Sequence, residues 1–100
     1  MSYSKSPALR MPKLLKAAQH APCMICGDYG TTVAAHYGSD RGMGYKADDC
    51  AVAYLCKMHH DEVDGRIGGL SKLEQRELFL RAYVRTVRYW LDHGILEVGR

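Results

Sequence analysis

The sequence predicts a small α+β fold: a zinc-pinned hairpin and short helix, preceded by a short N-terminal helix and followed by a long C-terminal one. Three observations predict it. Cys23-Met24-Ile25-Cys26 and Cys56-Lys57-Met58-His59 are pairs with two residues between ligands, a spacing that lets a tight turn aim both side chains at one metal. Between the pairs lie two short apolar runs, one of them partly β-branched, separated by a glycine-rich stretch. The last third is amphipathic at helical spacing, with a start signal at Ser71 and a stop signal at Gly94.

One hundred residues leave room for one hydrophobic core. The organisation expected is a flexible basic arm over 1–11 and a single domain over 12–100. A core this small gains much from a structural metal. The formal charge is +3, unevenly placed. Lys5, Arg10, Lys13 and Lys16 occupy residues 1–27 with no acid among them, and acids concentrate in 28–70. Basic flanks around an acidic, histidine-rich centre suit a polyanion held at a site that binds cations. The first residues lack the apolar run of a signal peptide, and no stretch approaches the roughly 18 apolar residues of a membrane span. A cytoplasmic protein with no membrane association is therefore expected. In a reducing compartment its cysteines favour metal ligation over disulfides.

In chain order, Pro12 can open a short helix that ends near His20, before Pro22. Cys23 to Cys26 forms the first knuckle, and Gly27-Asp28-Tyr29-Gly30 is turn chemistry. Residues 31–37 read as a strand and 50–56 as a second. The intervening glycines at 38, 42 and 44 allow close backbone approach by a ligand. A short helix from His59 to about Asp64 stops at Gly65. Ser71 and Glu74 match a capping box for the last helix. Leu73, Phe79, Leu80, Tyr83, Val84, Val87, Trp90 and Leu91 supply its apolar stripe. Gly94 is a C′ stop, with Ile95 as the hydrophobic contact beyond it.

Cys23, Cys26, Cys56 and His59 thus form the expected structural zinc (Zn2+) set, with Cys50 in place of His59 as a variant. Cys50 fits better as a small hydrophobe inside a strand. The histidines left over carry the functional expectation. His60 and Asp64, four residues apart, share a helix face and make a half-site for a catalytic Mg2+ or Mn2+. His36, at the end of the first strand, is expected to face that helix across the hairpin and act as a general base. Asp49, or alternatively Asp48, would accept from its second nitrogen and fix the tautomer. This is the outline of a ββα-metal active site for phosphodiester hydrolysis. Arg81, Arg85 and Arg88 form a ridge on the last helix, and with Arg41 and Lys46 of the glycine-rich loop they are the expected DNA contacts.

These residues carry a resemblance. Ala-His-Tyr at 35–37, Gly-Met-Gly-Tyr-Lys at 42–46, Asp49 and Cys-Lys-Met-His-His-Asp-Glu-Val-Asp-Gly-Arg at 56–66 resemble the HNH (His-Me finger) nucleases. The chain is more closely similar to the small YbcO-like nucleases of phages and prophages. The resemblance implies an HNH-like ββα-metal core, DNA endonuclease activity, and a role in phage recombination or DNA processing. In the wider family a cysteine usually stands where His59 does, and many HNH enzymes carry a metal ligand where this chain has Ala35. Two other classes remain open: a non-catalytic zinc module that binds DNA, and a protein-interaction domain for host or phage recombination proteins. The last helix could mediate a homodimer as readily as complete a monomer core. No base-reading element is evident, so little sequence preference is expected on a DNA substrate, duplex or branched.

Overall fold

The structure, a computed structural model, describes residues 10–36 and 48–97. Most of the N-terminal arm and the glycine-rich loop, with Arg41 and Lys46, lie outside the described residues. The chain runs α1 (Pro12–Ala17), a 3-10 turn (Ala18–His20), β1 (Val33–His36), β2 (Val52–Leu55), α2 (Lys57–Val63) and α3 (Lys72–Asp92). Both strands are shorter than expected, and α2 starts two residues before His59. Cys56 explains the early start. Its extended backbone makes it the N-cap, and its carbonyl accepts the first helical bond from the His60 amide at 2.8 Å.

β1 and β2 form an antiparallel hairpin in the register Val33–Leu55, Ala34–Tyr54, Ala35–Ala53 and His36–Val52. All four residues of β2 are buried, so side chains of both parities must find a core. Ala53 and Leu55 join Ala35, Cys23, Cys56, Phe79 and Ala82 on one face. Val52 and Tyr54 join Leu14, Ala18, Ala21 and Trp90 on the other. The metal-capable knuckles and α2 therefore belong to the first face, and α1 to the second.

Tyr54 ties three elements together. Its amide donates to Thr86 Oγ1 at 3.0 Å, and its carbonyl accepts from the Met24 amide at 2.9 Å, so the outer edge of β2 is closed. Its hydroxyl donates to the Leu14 carbonyl and accepts from Trp90 Nε1 at 2.8 Å. Burial pushes the Tyr54 hydroxyl pKa up, and the indole donor only partly offsets it, so the group stays neutral and donates. Tyr54→Phe strands the Leu14 carbonyl and the indole N–H in the core. The expected cost is about 2–4 kcal/mol, read as a drop in Tm on the order of 10–20 °C.

α3 buries Phe79, Ala82, Thr86 and Trp90, which fall on one helical stripe. Both of its ends are closed as the sequence predicts. Ser71 and Glu74 form the capping box at 2.9 and 3.1 Å. At the other end the Ile95 amide donates to the Trp90 carbonyl at 2.9 Å, around Gly94 at φ +67. Ile95 then packs against the Leu14–Trp90 cluster. Leu73, Leu80, Val84 and Leu91, expected in the same stripe, are exposed instead. They lie on a different face from the buried set.

Candidate metal centre and flanking polar sites

The first knuckle is built by backbone hydrogen bonds. The Cys23 amide donates to the Asp28 carbonyl at 2.8 Å, and the Gly27 amide returns to the Cys23 carbonyl at 2.9 Å. Gly27 turns the chain at φ +78, a conformation that other residues reach only at a cost. The second knuckle is the end of β2 and the first turn of α2. Arg85 of α3 donates to the Met24 carbonyl at 2.8 Å and clamps the first knuckle from the side.

Together they place one donor atom from each of Cys23, Cys26, Cys56 and His59 within 4.8 Å of one another. Cys26 Sγ lies 3.9 Å from Cys56 Sγ, and His59 Nδ1 lies 3.6 Å from Cys23 Sγ and 3.3 Å from Cys56 Sγ. Tetrahedral zinc with Zn–S of about 2.3 Å and Zn–N of about 2.05 Å has edges of about 3.8 Å for S···S and 3.6 Å for S···N. The four residues fit zinc. Cys50 is half-buried against the Leu14–Trp90 cluster, as a small hydrophobe would be. Glu62 Oε1 lies 3.9 Å from His59 Nε2, on the side of the ring away from the cysteine sulfurs.

Electrostatics point the same way. Burial raises the Cys23 thiol pKa, but amides of Cys26, Cys56 and Ile25 directed at it prevail and bring it down to about 7. At Cys26 the Asp28 amide favours the thiolate. Burial and the neighbouring thiols Cys23 and Cys56 outweigh it and push the pKa up to about 11. Cys23 and Cys26, one pulled down and the other pushed up, do not both ionise near neutral pH unless a cation shares them.

His60 and Asp64 share the outward face of α2, with His60 Nε2 3.3 Å from Asp64 Oδ2. Two donors at right angles around a cation at about 2.1 Å would lie roughly 3 Å apart, so the pair fits one edge of a divalent-cation shell. Arg66, which the sequence reading passed over, reaches both acids on this face, 3.4 Å from Asp61 and 3.9 Å from Asp64. Lys57 lies 3.8 Å from Asp61.

His36 meets Asp49, with Nε2 to Oδ1 at 3.6 Å. Asp49 is 5% exposed and well held: its Oδ2 accepts from the Met11 amide at 2.8 Å, and Arg10 lies 3.6 Å from Oδ1. The last two residues of the expected flexible arm are thus tied down. Nothing local in the sequence signals this contact, which joins residues 38 positions apart.

The expected facing of His36 and α2 is not what the strand delivers. Ala35 packs with Cys56 on the α2 face, and Ala34 packs on the α1 side. Alternation then puts His36 with Ala34, toward α1. Among the described residues no hydrogen bond or ion pair joins His36 to His60 or Asp64.

The arginine ridge is internally engaged. Arg81 bonds Glu77, Arg88 bonds Asp92 at 2.8 Å, and Arg85 holds Met24. No helix among the described residues is long and apolar enough to cross a membrane.

The likenesses to known proteins agree with this anatomy. A solved structure titled "Structure of a putative bacteriophage protein from Escherichia coli str. K-12 substr. MG1655" superposes with a TM-score of 0.64. It is 26% identical, over 81% of this chain and 99% of that one. No curated protein matches the chain. The family model described as "Putative nuclease YbcO" matches residues 12–95, which span α1, both knuckles, the hairpin, α2 and all of α3. A match of that extent places the chain in the YbcO family.

Proposed function

We propose that this protein is a divalent-cation-dependent DNA endonuclease of the HNH, ββα-metal kind, with zinc as its structural metal. One observation carries the reading. Two adjacent histidines of α2 are divided between tasks: His59 turns Nδ1 to the cysteine sulfurs, while His60 turns Nε2 to Asp64 on the outward face. A purely structural zinc helix does not require the second pair. Likeness to a bacteriophage protein favours a role in phage DNA recombination or processing, on duplex or branched substrates, with recombination proteins or a second copy as further partners.

The chemistry assigned to the chain is as follows. With Nε2–H directed at Asp49, His36 keeps a lone pair on Nδ1 and takes a proton from water. The resulting hydroxide attacks phosphorus, and the P–O bond opposite the incoming oxygen breaks. His60 and Asp64 would hold a divalent cation, which would supply charge stabilisation at the leaving oxygen. With His36 on the α1 side of the hairpin, the scissile phosphate would have to lie across the strand end for both to act on it. Arg66 leaves Asp64 as the phosphate arrives, because its guanidinium can pair with either anion.

A second reading has a specific observation in its favour. Ala35, which has no ligating atom, is the strand residue that faces α2, and this suits a module that binds DNA without cutting it. Paramagnetic broadening by Mn2+ separates the two readings on the zinc-loaded protein. The nuclease reading expects selective broadening of His60 and neighbouring α2 signals. Asp64→Ala should weaken Mn2+ binding by on the order of 10–100-fold with zinc content unchanged. Absence of any Mn2+ effect at α2 would favour the binding module.

A further inference from the structure

We infer that a DNA strand lies along the groove between α1 and β1, with Lys13 and Lys16 on its phosphates and the cavity beside His36 taking one nucleoside. The inference takes its ligand class from the nuclease reading above, but locates binding on a face different from the α3 ridge.

Four observations converge. First, each ridge arginine has a protein partner. Arg81 and Arg88 are neutralised by Glu77 and Asp92, and Arg85 is bound to a carbonyl of the knuckle. A phosphate would have to displace those partners. Second, Lys16 lines the cavity between α1 and β1, and Lys13, three residues earlier, is exposed beside it on α1 without lining that cavity. Residues 1–27 contain no acid, and Asp49, the carboxylate at the start of α1, is already held by Met11 and Arg10.

Third, a cavity of about 350 Å³ opens between α1, the 3-10 turn and β1. Leu15, Ala18, Val33 and Ala34 give it apolar walls, while Lys16, Gln19 and His36 bring polar groups to it. That volume is near the small end of ligand sites, suited to one nucleoside rather than a larger cofactor. The apolar walls would cover a base, the Gln19 amide can donate to or accept from a base edge, and Lys16 can reach the adjoining phosphate. Fourth, strand alternation turns His36 toward this groove. A strand bound here would bring its phosphate to the one imidazole that Asp49 orients.

The test is fluorescence anisotropy with a short labelled single strand and the matching duplex, in chelator-free buffer with no added Mg2+ or Mn2+ so that zinc is retained and no cleavage occurs, across a salt series. Zinc-loaded wild type is compared with Lys13→Ala/Lys16→Ala and with Arg81→Ala/Arg88→Ala. All four side chains are exposed, and circular dichroism with zinc content verifies folding. The groove predicts at least a tenfold loss for the lysine pair. The slope of log K against log salt should shrink by about 1.4, from two single-strand phosphate contacts at roughly 0.7 each. The arginine pair should bind as wild type does. A loss confined to the arginine pair, or equal binding by all three proteins, overturns the groove while leaving the nuclease reading intact. If wild type binds neither DNA at low salt, the groove and that reading fall together.

Discussion

Stripping the metal with a strong chelator, or changing Cys56 to Ser, is expected to unfold the domain rather than loosen it. α2 is seven residues long and none of them is buried. Isolated helices below about 12–15 residues are marginal in water, so α2 owes its place to Cys56 at its N-cap, to His59, and to Val63 against the core. Structural zinc supplies about 10–16 kcal/mol of apparent binding energy, against a total stability of about 5–15 kcal/mol for a domain. Far-UV dichroism should collapse toward coil, and the emission of Trp90, buried at 1% exposure, should move to the red. A chelated protein that still melts cooperatively with Trp90 buried would show that the core suffices alone. Zinc affinity should also rise with pH. With its thiol pushed up to about 11, Cys26 is protonated at neutral pH and must lose that proton on metal uptake, a cost that shrinks as pH approaches that value.

His36→Ala is expected to lower the cleavage rate by about 10²–10⁴-fold while zinc content and Tm hold. The side chain is half-exposed and its partner Asp49 keeps Met11 and Arg10, so little folding energy is at stake. Asp49→Asn removes the charge opposite the imidazole but keeps an acceptor for the Met11 amide, so its loss should be smaller. Quench-flow or gel time courses at saturating DNA separate this effect from binding. A His36→Ala enzyme with full activity would take the base role from His36, whatever its effect on affinity.

The sequence made the metal set legible because spacing alone determines it: two residues between ligands close a knuckle whatever the rest of the chain does. The capping box at Ser71 and Glu74 and the stop at Gly94 are equally local, and both stand. The facing of His36 was not local. Alternation says only that Ala35 and His36 point to opposite faces, and which face meets α2 is decided by Cys56, Leu55 and Phe79 packing on the Ala35 side. The same limit applies to α3. A list of its apolar residues merges two faces, and small Ala82 and Thr86, which let α3 approach β2 closely, carry no hydrophobic signal as strong as the exposed Leu73 and Leu80. The hold of Met11 and Arg10 on Asp49 depends on the fold bringing distant segments together, and composition had marked that region only as basic.

The central claim is that α2 holds a catalytic divalent cation beside the structural zinc. Nicking of supercoiled plasmid and of branched DNA by zinc-loaded protein tests it most directly, in chelator-free buffer without added divalent ion and after adding Mg2+ or Mn2+, with Asp64→Ala alongside. The account predicts no nicking without added divalent ion, nicking with one, and its loss in Asp64→Ala while zinc is retained. Full nicking by zinc-loaded protein without added divalent ion, equal nicking by Asp64→Ala, or inert protein on every substrate with every ion would contradict it.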